Sequence, residues 1–276
     1  MKQSYSLIKQ LTPEEIELEK KRAELSLLED ELVLKELDLT TLQVGLEDLR
    51  RRYLHIVGVK LAKLDGIEAQ IAEIIARLEP ENEEVQKKAE RSRSQAQESA
   101  NATASITEEE YETKPFRPSE DIKKLYHDLA KKVHPDLAPD EKSRKRRHRF
   151  MQDVNEAYAA GDVERLRSLL NEWESSPASV SGEWTGAELI RIIRQLARVR
   201  NRIEVISKEI EKLKDSELYK LKLKIDETQE DGKDILSQMA AEVDGQIEDA
   251  NTRLKNIHQR METTERNRTK QKNSKG

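Results

Sequence analysis

Over two long stretches of this chain, leucine and isoleucine recur three and four residues apart, and nearly all the helix-breaking and bulky residues lie between them. The first stretch carries Leu18, Leu25, Leu28, Leu32, Leu39, Leu42, Leu46, Leu49, Tyr53 and Ile56. The second carries Leu189, Ile192, Leu196, Val199, Ile203, Ile206, Ile210 and Leu213, then Leu221, Ile225, Ile235, Met239, Val243, Ile247, Leu254, Ile257 and Met261. That spacing puts one narrow apolar stripe on each helix, as in the seam of a coiled coil. By contrast, seven of the ten aromatics and five of the seven prolines fall between Tyr111 and Trp184. Aromatics fill compact cores and proline ends helices, so a small folded module is predicted between two helical arms.

The plan is all-α and tripartite. A coiled coil is expected over 13–79, with Thr12 as N-cap and Pro13 in the first turn, and with its register shifting near Gly58. A flexible linker is expected over 80–115, where Pro80 stops the helix and the SRSQAQESANATAS run lacks bulky apolar residues. The module spans 116–174, a linker 175–186, the second coil 187–262, and a disordered basic tail 263–276. A lone amphipathic helix is unstable in water, so each stripe needs a cover. Two arrangements supply it: an antiparallel hairpin of the two arms, favoured because one chain then covers both stripes, or a parallel homodimer.

With 38% charged residues, a net charge of −5 and no cysteine, the composition excludes disulfide scaffolds, thiol nucleophiles and cysteine-based zinc sites. No histidine pair has metal-ligand spacing with carboxylate support, and no glycine-rich phosphate loop exists, so neither metal nor cofactor is expected. No apolar run is long enough to span a bilayer, and no signal peptide is apparent at the N-terminus, so a cytoplasmic location is expected.

Within the module, Ser119 is placed to cap a helix whose apolar face is Ile122, Leu125, Tyr126, Leu129 and Val133. His134 and Pro135 end that helix. Asp140 can cap a second one, with Phe150, Val154, Ala157 and Tyr158 inward, up to a left-handed stop at Gly161. Asp162 can cap a third, shorter one.

The stretch Ile122–Asp136 reads IKKLYHDLAKKVHPD, and Phe150–Tyr158 reads FMQDVNEAY. Together they resemble the J-domain of DnaJ-type (Hsp40) co-chaperones, over about forty residues; the arms are similar to those of bacterial coiled-coil proteins carrying an internal J-like module. The resemblance implies that His134, Pro135 and Asp136 form the loop that engages an Hsp70 chaperone of the DnaK type, with Asp136 meeting an arginine of that partner. It further implies that Lys123, Lys124, Lys131 and Lys132 face an acidic surface of the partner, and that the module stimulates the partner's ATPase while being no enzyme itself. One departure is plain. The short first helix of a J-domain has no counterpart before Pro118, so the third helix or an arm would have to fill its place. The arms would hold a client, an address or a second copy of the chain. Two other readings stand beside this one: a coiled-coil scaffold whose J-like hairpin is only an elbow, and a nucleic-acid-associated protein using the basic run Arg144–Arg149.

Overall fold

The computed structural model describes residues 12–104, 116–138, 140–174, 185–229 and 234–273; Tyr111, Pro139, Trp184, the last part of the first expected linker (105–115) and most of the second (175–184) lie outside them. Among the described residues the chain is helical, with no strand. It divides into two compact units, one made of residues 1–45 and 116–216, the other of 46–115 and 217–276.

Helix α1 (Pro13–Tyr53) and helix α2 (Val59–Leu78) are continuous through a π-turn at Leu54–Gly58, where the Val59 N–H reaches the Leu54 carbonyl. A π-turn inserts one residue into the helical repeat, which is how the seam changes register near Gly58 without a break. Glu79 leaves helical geometry before Pro80, and α2 ends.

The segment expected to be a linker is instead largely a helix, α3 (Glu83–Ala104), capped by Asn82 with Glu83 and Glu84 in its first turn. It packs antiparallel on α2: Ser99 bonds Asp65, and the Gln86 amide donates to the Ala76 carbonyl. The contact surface is made of small side chains, with Ala72, Ala76 and Ala89 buried together against Val85. Small residues let helix axes approach closely, so α3 gains a partner without a leucine stripe. At Gly58 a Cβ would lie 3.4 Å from Thr103 of α3 and 3.1 Å from Leu54.

The last helix, α9 (Ile235–Asn273), also packs on α2 and runs through most of the segment expected to be a disordered tail. Leu236, Ala240, Val243, Ile247 and Ala250 are its buried stripe, against Leu49, Val57, Ile67 and Ile71. Its ion pairs with α2, Lys60 to Asp244 and Glu68 to Arg253, advance together along both helices. The pair is therefore parallel.

In the other unit, helices α4 (Glu120–Val133), α5 (Glu141–Ala159) and α6 (Val163–Glu174) form the central module, and α7 (Thr185–Lys214) follows. Helix α8 (Glu217–Gln229) then belongs with α9. Helices α1 and α7 meet through Arg22–Glu188 at 2.5 Å, Gln195–Glu29 at 3.3 Å and Arg202–Glu36 at 2.8 Å. These contacts step by seven residues in both helices, so α1 and α7 also run in the same direction. Arg200 pairs with Glu24, some ten residues out of that series, which calls for an inclined crossing rather than strict alignment. The favoured antiparallel hairpin is thus corrected in both units. The chain between the arms includes α3, which travels back along α2 and frees the second arm to run in the same sense as the first.

Replacing Ala89 by leucine should overpack the α2–α3 contact and cost about 1–3 kcal/mol in urea unfolding. An unchanged midpoint would mean that α3 is not held there.

Candidate functional site

The module's core answers to the expected face. Ser119 accepts from the Ile122 N–H at 3.3 Å, and Asp140 accepts from the Ser143 N–H at 2.8 Å, so both helices start where their capping residues stand. Gly161 has φ +69°, and Asp162 caps α6 through the Arg165 N–H. Ile122, Tyr126, Leu129, Val133, Val154, Ala157 and Tyr158 are buried in one cluster, with Leu125 and Phe150 partly buried against it. The third helix adds Leu166 and Leu169. Val33 and Leu37 of α1 belong to the same cluster and cover the module's core from the side of that arm. Neither lies on the leucine seam, which is why periodicity alone does not single them out.

The two sequence signatures meet at their polar atoms. Tyr126 donates from its hydroxyl to Asn155 Oδ1 at 2.8 Å, and Tyr158 pairs with Thr41 at 2.7 Å. Their rings tilt against each other at 4.7 Å, and Phe116 meets Tyr158 edge-on at 5.7 Å. Burial pushes the Tyr126 phenol well above its ordinary range, so it stays a neutral donor.

This frame holds the His134-Pro135-Asp136 loop, a single 3₁₀ turn over Pro135–Leu137. His134 is 2% exposed. Its Nδ1 accepts the Asp136 N–H at 3.2 Å, which leaves Nε2 to carry the proton and donate to Glu36 Oε1 at 3.3 Å. Arg202 donates to the same carboxylate at 2.8 and 2.9 Å. Burial works against a charged Glu36, but the His134 hydrogen bond and the Arg202 charge outweigh it and hold the carboxyl below its ordinary value. The loop's carbonyls are also tied down: His134 O accepts from Arg147, Leu137 O from Gln195 and Ala138 O from Arg198. Leu137 is buried in the cluster that joins α1 to Ile192, Leu196 and Val199 of α7.

Only Asp136 of the three keeps an uncommitted functional group. Its carboxylate lies 4.0 Å from His134 Nδ1 and accepts no hydrogen bond among the described residues. It opens into a cleft of about 520 Å³ lined by Glu36, Arg144, His148, Gln152, Arg198 and Arg202, among others. The expected basic face of α4 is less open. Lys131 pairs with Asp30 of α1 and Lys132 with Glu174 at 2.5 Å, Lys123 with Glu120 at 2.8 Å, while Lys124 is exposed with no carboxylate partner among the described residues. In the basic run, Arg146 and Arg147 stack on Trp173 at 5.6 and 5.4 Å, and Trp173 packs on Phe150.

Sequence reasoning missed the partners of the loop: Glu36, Arg202, Gln195 and Arg198 are ordinary charged or polar residues of the arms, with nothing local to mark them. No group of three or more His, Asp or Glu side chains among the described residues is arranged to hold a metal, and no described helix is long and apolar enough to cross a membrane. Comparison with family models, curated proteins and solved structures finds no match.

Glu36→Gln should cost about 1–3 kcal/mol near neutral pH, because a buried charged hydrogen-bond acceptor is lost. A carboxyl with a depressed folded value stabilises fully above its ordinary value of 4.5 and loses that stabilisation as pH falls through the folded value. The gap between wild type and variant should therefore narrow below about pH 4.5; a gap that stays constant on acidification would show that Glu36 is not ionised in the fold.

Proposed function

We propose that this protein is a J-domain-like co-chaperone or adaptor that engages a DnaK-type Hsp70 through Asp136 and stimulates its ATPase, with the arms serving for client binding, targeting or self-association. The observation that carries this reading is the division of labour in the loop. His134 and Pro135 are committed to shaping the turn, whereas Asp136 presents a carboxylate with no internal donor beside an open cleft. A carboxylate so held suits a charge-assisted, bidentate contact with an arginine of a partner, which transmits orientation as well as affinity. Nothing in this role requires catalysis by the chain itself. A cytoplasmic setting, where DnaK-type chaperones work, accords with it.

A specific observation favours the scaffold reading as the second possibility. Leu137 and Ala138 are buried, and α7 binds the carbonyls of both, so the loop is built into its unit rather than projecting from it. On that reading the hairpin is an elbow and Asp136 is dispensable.

The two separate on one substitution. Asp136→Asn should reduce stimulation of a DnaK-type ATPase to the rate of the chaperone alone while leaving helicity and thermal midpoint unchanged. Equal stimulation by wild type and variant, or none by the wild type, would favour the elbow.

A further inference from the structure

Charge pairing separates the lysines of α4 from the cations around the Asp136 cleft. Three of the four α4 lysines already have carboxylate partners within the chain. On α7, Arg191, Arg194 and Arg198 stand three, four and seven residues apart and so share one stripe of the helix. All three are exposed, and none meets a carboxylate among the described residues. The stripe runs on through Asn201 into the wall of the cleft. On the opposite wall, α5 brings Arg144 and His148, with Lys145 beside them, all exposed. Arg144 has only a solvent-exposed neighbour, Glu141, at 3.5 Å; Lys145 and His148 have no carboxylate partner among the described residues. In a chain of net charge −5, cations of this kind on both walls of one groove concentrate positive potential there.

We propose that the α5–α7 groove, and not the α4 face, is the docking surface for an acidic face of a protein partner, with Asp136 at its floor. This rests on the co-chaperone reading and names where the Hsp70 lands. A protein fits the groove better than a nucleic acid does. Trp173 is occupied by Phe150 and two arginines, so it offers no free ring for base stacking, and the Asp136 carboxylate at the floor suits a basic side chain, not a phosphate. An acidic protein surface, by contrast, can meet the rim cations while one basic side chain reaches Asp136.

The test titrates the labelled full chain with an ATP-bound DnaK-type Hsp70, and separately with a short DNA duplex, at low and moderate salt. Arg191→Glu with Arg194→Glu should weaken Hsp70 binding about tenfold or more and flatten its salt dependence, since like charges then face each other across the rim. Lys123→Glu with Lys124→Glu should change it by less than about twofold. The reverse ranking, with Asp136→Asn still disruptive, would overturn the groove but leave the co-chaperone reading standing. Absence of Hsp70 binding by the wild type would sink both. Duplex binding that disappears in the Arg191/Arg194 variant would reassign the groove to nucleic acid and refute a protein occupant.

Discussion

The carboxylate of Glu36 is the point on which the unit holding the module depends. It lies on α1, accepts a hydrogen bond from the buried imidazole of His134 and two from Arg202 of α7, and so joins an arm, the loop and the second arm in one node. A buried carboxylate without such partners would cost several kcal/mol, so each of the three groups requires the others. Because Nε2 of His134 is spent on Glu36, Nδ1 is left as the acceptor that fixes the backbone of Asp136. The conformation of the loop is thus set from α1, a hundred residues away in sequence.

Around that node, α1 works as a two-sided element. Leu18, Leu25, Leu32 and Leu39 face the cluster shared with α7, while Val33, Leu37, Thr40 and Thr41 face the module. The arms are therefore not mere spacers attached to a self-sufficient hairpin. The module completes its core with an arm, and the arm buries in the module surface that a simple two-stranded coil would leave wet. In the other unit the same economy appears with different chemistry: α2 is covered along one face by the aliphatic stripe of α9 and along a neighbouring face by the small residues of α3.

What could be read from the sequence follows from the range of the signals. Caps, proline stops and apolar faces are local, so Ser119, Asp140 and Gly161 and the inward residues from Ile122 to Tyr158 were all legible. The all-helical class followed from periodicity. Helix α3 was hidden because its buried face is Val85 and Ala89 instead of leucine, and alanine counts for little in a hydropathy pattern although it packs closely. The tail was hidden for the opposite reason: helix α9 continues past its apolar stripe into polar sequence that carries no proline or glycine to stop it. The direction of the arms depends on how the chain returns between them, and an unrecognised α3 left that return undefined. At the site, the loop itself was legible, but its buried partners were not, because Glu36 and Arg202 acquire meaning only through contacts at long sequence separation.

On the proposed reading, the Asp136 cleft is where an Hsp70 engages this chain. Hydrogen exchange of the full chain with and without ATP-bound DnaK-type Hsp70 tests it most directly. The account predicts slowed exchange in the loop from Asp136 to Ala138 and in the neighbouring turns of α5 and α7, with α2, α3 and α9 unchanged. Protection confined to α2, α3 and α9, or no protection anywhere, would contradict it.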